Sequence, residues 1–199
     1  MPILRIAWKE KGNPGRSLTG SLHCDTNLHG SEPMEPTAPT QAATTSRQLL
    51  RHAVATVAYR GGKALRGAPE NFAKFKAGEQ SRTPEQILAH MGDLYDWALT
   101  CAKGKQAWHD STPLPWTQEV QRWFKALQAF DDYLASDSPL GFPAEKILQG
   151  AVADSLSHVG QILMLRRLAG CPIRSENYFR ADIVAGRVGE QQTAARQEF

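Results

Sequence analysis

Residues 83–101, TPEQILAHMGDLYDWALTC, predict the fold of this chain more directly than any other stretch of it. The stretch opens with the signature of a helix N-terminus, since Thr83 suits the N-cap, Pro84 the first helical position, and Gln86 completes a capping box. Apolar residues then recur every three or four positions, the spacing of one helical face: Ile87, Met91, Leu94, Trp97 and Cys101. We therefore predict an amphipathic helix that packs against other helices.

Three more segments show the same period. They span about residues 46–65, with Ser46 as N-cap, about 116–135 and about 143–169. The last is apolar on most sides, so we expect it to be buried on most sides. Four helices of roughly 20 residues, with few strand signals, predict an all-α four-helix bundle.

The ends of the chain differ from the middle. Residues 1–45 show no sustained period and are rich in proline and glycine, so we expect a disordered N-terminal extension. Met34 lies just before the periodic region, which suggests that residues 1–33 are not translated natively. We assign residues 46–190 to the helical domain, and expect 191–199 to form a disordered C-terminal tail.

The composition of the chain excludes several classes of protein. The 199 residues carry 23 basic and 20 acidic side chains, a net charge of +3, which is too balanced for a nucleic-acid-binding or membrane-surface protein. No signal peptide and no long apolar span is evident, so we expect a cytoplasmic protein without membrane association. Three widely spaced cysteines fit neither a disulfide scaffold nor a CxxC zinc site.

The candidate metal-ligating residues lie on two of the predicted helices, the second and the fourth. Asp154 and His158 lie four residues apart, which stacks their side chains on one helical face. His90 lies on the inward face of the second helix, between Ile87 and Leu94. If these helices meet, His90, Asp154 and His158 supply two imidazoles and a carboxylate for a divalent metal, with positions left open for water or substrate.

A structural interpretation stands beside this one. A lone histidine on an apolar face is more often a hydrogen-bonded core residue. A buried Asp154–His158 pair can form an ion pair or a hydrogen bond with a structural role, without a metal. The two interpretations differ in His90, which a metal site needs within reach of the other two.

Other candidates are weaker. His52 is a candidate fourth group at the edge of the first helix, and Asp93, three residues after His90, is either an acceptor that orients His90 or an exposed aspartate. We expect Cys101 to be a packing residue of the core. Gln161 is expected either to contact substrate or to support the fourth helix. We assign no role to His23, His29 and His109.

Two segments that carry these residues resemble the DinB-like (DinB/YfiT) superfamily of metal-dependent four-helix bundle proteins. They are RTPEQILAHMGDLYDWAL and ADSLSHVGQILMLRRLAG. The resemblance covers roughly residues 46–190. It implies a metal site in which His90 matches the family histidine of the second helix and His158 the last histidine of an HxxxH pair. Asp154 stands where the family has the middle histidine, and aspartate is also a competent ligand for zinc, iron, manganese or nickel.

The resemblance also implies a function. Some members are metal-dependent S-transferases or isomerases that use a low-molecular-weight thiol, so we expect a metal-dependent thiol S-transferase or hydrolase with a small-molecule thiol substrate, and a homodimer. The alternative is a non-catalytic structural or partner-binding bundle with a buried Asp–His pair.

Overall fold

The computed structural model describes residues 41–199, with side chains from residue 45 onward. Its α-helices are α1 (Gln41–Leu65), α2 (Pro84–Ala102), α3 (Trp116–Ala135), α4 (Ala144–Ile147) and α5 (Ala153–Leu168). A π-helical turn, Leu148–Val152, joins α4 to α5, so that the three segments form a fourth long helix. The helical class and the four long helices are confirmed, and within residues 41–199 the β-structure is limited to an isolated bridge between Glu176 and Glu198.

The helices pack as a bundle. The α2–α3 pair is the most extensive, α1 contacts both α3 and α5, and α2 contacts α5. The apolar residues that recur at helical spacing on the first three helices supply the core; Trp97 and Val120 are only partly buried. The following are buried: Leu50, Val54, Val57, Leu65, Ile87, Met91, Leu94, Cys101, Trp123, Phe124, Leu127, Phe130 and Leu134. Apolar burial therefore carries the fold.

The start of α2 is as predicted. Thr83 Oγ1 accepts a hydrogen bond from the backbone N–H of Gln86 (3.4 Å), and Gln86 Oε1 accepts one from the backbone N–H of Thr83 (2.9 Å). Pro84 occupies the first helical position. This reciprocal capping box satisfies two N–H groups that a helix end otherwise leaves unpaired.

The first helix differs from the prediction at its start. It begins at Gln41, so Ser46, predicted as its N-cap, lies inside the helix. The residues before Ser46 include Ala42 and Ala43, which favour helix, and no proline or glycine interrupts them. Disorder was predicted for residues 1–45, but residues 41–45 lie in α1. Residues 1–40, and with them the suggestion about residues 1–33, lie outside the described residues.

The fourth helix also differs, in two respects. A regular α-helix over about 143–169 was expected, whereas residues 148–152 form a π turn before α5 resumes. The helix is also exposed along one side, where Met164 and Leu168 are 55% and 58% exposed. Periodicity did not reveal this side because apolar residues occupy it too.

The C-terminal segment is held against α1. Glu176 accepts hydrogen bonds from Tyr59 Oη (2.6 Å) and Lys63 Nζ (2.8 Å), and Lys63 also pairs with Glu198 (2.6 Å). The backbone N–H of Phe199 donates to Ser175 O (3.0 Å). Residues 191–199, expected to be disordered, thus make specific contacts, because Lys63 on α1 and the backbone of residues 175–177 bind them.

No helix within residues 41–199 has both the length and the apolar character required to cross a membrane.

Candidate metal centre

His90, Asp154 and His158 converge between α2 and α5. Asp154 Oδ2 lies 3.5 Å from His90 Nε2, and Asp154 Oδ1 lies 3.5 Å from His158 Nε2. The two imidazole rings meet edge to face, with their centroids 4.8 Å apart. The structure thus brings together the three residues that the sequence nominated, and His90 lies within reach of the other two, as a metal site requires.

Local sequence explains the placement of each ligand. His90 lies on α2 between the buried residues Ile87 and Leu94, so its side chain is directed to the bundle interior. Asp154 and His158 are one helical turn apart on α5 and therefore share a face. The π turn ends at Val152, so both residues lie in regular α-helix.

The site is open on one side. His158 is buried at 8% exposure, whereas the side chains of His90 and Asp154 are 22% and 46% exposed. The carboxylate therefore lies at the solvent edge with the imidazoles behind it. A metal held by these three groups would have its remaining coordination positions toward solvent.

Gln161 holds the His158 ring. His158 Nδ1 lies 3.0 Å from Gln161 Oε1, one turn further along α5. Because an amide oxygen only accepts hydrogen bonds, Nδ1 carries a proton in this contact, and loss of the Nε2 proton would free the Nε2 lone pair for a metal ion. An acceptor on the second ring nitrogen is the usual support of a metal-ligating histidine. Gln161 therefore contacts a candidate ligand, a role that the sequence did not predict for it.

The charges in the site are coupled. Hydrogen bonds from His158 and then His90 hold the pKa of the Asp154 carboxyl well below its usual range, despite some desolvation. Burial alone would lower the pKa of His158, but hydrogen bonds with Asp154 and Gln161 raise it overall. In the absence of a metal, Asp154 is thus an anion that favours protonated imidazole at His158.

The spacing of the ligand atoms fits a metal ion. Nitrogen and oxygen ligands of tetrahedral zinc lie about 2.0–2.2 Å from the metal and so about 3.3–3.6 Å from one another. The N–O separations are 3.5 Å from His90 Nε2 to Asp154 Oδ2 and 3.5 Å from His158 Nε2 to Asp154 Oδ1. One ligand atom from each of the three residues lies within 4.8 Å of the others. The donor set of two imidazoles and one carboxylate suits zinc, iron, manganese or nickel.

Several other candidates lie elsewhere. His52 is exposed on α1 and does not belong to the group of potential ligands formed by His90, Asp154 and His158. Cys101 is a buried free thiol, as predicted, and burial raises its pKa. His23, His29 and Cys24 lie outside the described residues.

Asp93 differs from both of its expected roles. It is 2% exposed rather than a surface residue, and its carboxylate binds Ser111, Arg122 and His109 rather than His90. Asp93, Asp96 and His109 thus form a second cluster of potential ligand groups. Arg122 Nη1 already pairs with Asp93 (3.0 Å) and Asp96 (3.3 Å), so the cluster contains its own cation.

Sequence reasoning missed two features of this region. The first is the polar network around Arg122, which also binds the fully buried Glu119 at 2.5 Å. The second is the loop indole of Trp108, whose ring centroid lies 5.4 Å from that of His90. Helical spacing could have revealed the Arg122–Glu119 pair, which is three residues apart on α3, but not its contact with Asp93 on α2. The indole of Trp108 has no periodic signal because its position depends on the loop between α2 and α3.

Three cavities open elsewhere on the domain. Their volumes are about 230, 560 and 390 Å³, and their walls include Phe124, Tyr59 and Phe142 respectively. None of the three is lined by His90, Asp154 or His158.

Comparison of the chain with protein-family models, with curated proteins and with solved structures finds no match.

Proposed function

We propose that this protein binds one divalent metal ion through His90, Asp154 and His158, and that it is a metal-dependent thiol S-transferase or hydrolase. The observation that carries the proposal is the position of His90 Nε2, 3.5 Å from Asp154, on a helix other than that of the Asp154–His158 pair. The resemblance of residues 46–190 to the DinB-like superfamily points the same way.

Each residue of the site would have its own part in holding the metal ion. His90 and His158 would hold the ion from the buried side, and Asp154 from the solvent edge, where its charge offsets part of the ion's charge. Gln161 would keep His158 in the tautomer that ligates through Nε2. A divalent ion bound here would lower the pKa of a coordinated thiol or water and so supply a nucleophile near neutral pH.

A non-catalytic bundle is the second candidate. It is favoured by the position of Asp154 between two imidazoles, at 3.5 Å from each, which is also an ion-pair distance between a carboxylate and protonated histidines. In that case the three residues would support the α2–α5 contact, and the function would lie with a protein partner. A homodimer and a cytoplasmic location remain predictions from the sequence.

Metal content separates the two candidates. The full chain is purified without a metal-affinity column, and its metal is quantified by mass spectrometry beside His90→Ala and His52→Ala. We expect about one equivalent of a transition metal in the wild type and in His52→Ala, and loss in His90→Ala. His52 is the matched control because it is an exposed helical histidine outside the site.

The opposite result would be a wild-type protein without metal, even after reconstitution with zinc, iron, manganese and nickel. That result would favour the structural triad over the enzyme.

A further inference from the structure

The loop between α2 and α3 carries an aromatic side chain to the edge of the candidate metal site. Two anchors fix the loop to α2, one on each side of Trp108. The backbone N–H of Ala107 donates to Thr100 Oγ1 (3.2 Å), and Ser111 donates to Asp93 through its backbone N–H (2.8 Å) and its hydroxyl (2.7 Å). The position of Trp108 is thus set by contacts with the helix that carries His90.

The indole of Trp108 lies beside a ligand and faces solvent. Its ring centroid is 5.4 Å from that of His90, and the side chain remains exposed, at 42% for the whole residue. Its Nε1–H donates to Asp110 Oδ1 (3.1 Å), so the polar atom of the ring already has a partner. The rest of the indole is an apolar surface within reach of a group bound at the open side of the site.

A second indole lies behind the first. Trp97 meets Trp108 edge to face, with centroids 6.4 Å apart. Trp97 in turn packs on Gly150 of the π turn, where an added Cβ would lie only 3.0 Å from two atoms of the Trp97 ring. Glycine at this position therefore allows Trp97 to approach the helix that continues into Asp154. The pair Trp97–Trp108 is hereafter the aromatic wall.

We propose that the aromatic wall is the specificity-determining part of the site and that Trp108 binds a flat apolar group, favouring an aromatic thiol as substrate. This inference rests on the proposed function. A flat ring gains most from an indole that is held in place, because stacking adds to simple apolar burial. A cationic group fits less well, since two neutral imidazoles, one carboxylate and a divalent ion leave a net positive charge beside Trp108.

The test uses the full chain loaded with Co²⁺ as an optical probe. Benzyl mercaptan and 2-mercaptoethanol, two thiols of similar acidity, are titrated separately while the near-ultraviolet band of cobalt-bound thiolate is followed. We expect benzyl mercaptan to bind about tenfold more weakly to Trp108→Ala than to the wild type, whereas binding of 2-mercaptoethanol is unchanged. Trp108→Phe should retain part of the preference.

Leu114→Ala is the control, because Leu114 is an exposed apolar residue of the same loop. Cobalt loading is measured for every variant before the titrations. If cobalt binds and Trp108→Ala keeps the full preference for benzyl mercaptan, the role of the aromatic wall is overturned while the metal site stands. If the wild type binds no cobalt, the metal site fails and the inference fails with it. Normal cobalt loading without a thiolate band from either compound would overturn the assignment of a thiol substrate.

Discussion

Asp154 Oδ2 lies 3.5 Å from His90 Nε2, although the two residues belong to different helices separated by the whole of α3 in the sequence. This contact joins α2 to α5 at the solvent edge of the bundle. It turns an Asp–His pair within one helix into a three-residue site. The function proposed for the protein depends on this relationship more than on any other.

The identity of residue 154 should set metal affinity. Asp154→Ala removes one ligand and should abolish tight binding, whereas Asp154→His keeps a donor at the same helical position and should retain it. Asp137→Ala, which changes an exposed loop aspartate, is the control. Competition with a chromophoric chelator measures the affinity, and undiminished affinity in Asp154→Ala would show that Asp154 is not a ligand.

Gln161 should affect the metal through His158 alone. Gln161→Leu removes the acceptor of the Nδ1–H group, so we expect metal affinity to fall about 10–100-fold. Gln161→Glu keeps an acceptor and should preserve the affinity. Because Gln161 is exposed, the thermal midpoint of the chelated protein should change little in either variant. Equal affinities for all three proteins would contradict the supporting role.

The metal-free protein should lose stability on both sides of a pH window. The lowered pKa of Asp154 stabilises the fold above the ordinary value of 3.8, and this contribution is lost as pH falls through the lower folded-state pKa. The raised pKa of His158 stabilises the fold below 6.5, and this contribution is lost as pH rises through the higher folded-state pKa. The triad should therefore stabilise the chelated protein most between pH 3.8 and 6.5.

Urea unfolding with chelator present, over a series of pH values, measures this dependence. Asp154→Asn should flatten the wild-type profile relative to Asp137→Asn, because the amide cannot form the ion pair. Above pH 6.5 the stability of the metal-free protein should fall as His158 loses its proton, whereas metal affinity should rise. Parallel stability profiles for the wild type and Asp154→Asn would rule out the coupled charges.

Two helical glycines should respond in opposite directions to alanine. A Cβ at Gly61 would overlap the indole of Trp123, which is fully buried, whereas a Cβ at Gly160 meets no atom within 4 Å. We expect Gly61→Ala to reduce the free energy of unfolding by about 1–3 kcal/mol through overpacking. Gly160→Ala should increase it by about 0.5–1 kcal/mol, because alanine favours helix. Denaturant unfolding of both variants measures these changes. A protein that is destabilised by Gly160→Ala and not by Gly61→Ala would contradict the prediction.

Local patterns were sufficient where the physics is local. The capping box at Thr83 and Gln86 depends on residues three apart, and the apolar stripes of α1, α2 and α3 follow the helical period, so these features were predicted correctly. The Asp154–His158 stacking follows from four-residue spacing in the same way. The start of α1 was wrong because the residues before Ser46 favour helix without forming an apolar stripe.

Sequence patterns were thus enough to predict the helical class, the apolar helix faces and the three candidate ligands. The fold was needed to show that α2 and α5 meet with His90 beside Asp154, that Asp93 binds Arg122 rather than His90, and that Trp108 lies beside His90. Such contacts join residues far apart in the chain. Their formation depends on helix packing and loop closure, which leave no period in the sequence.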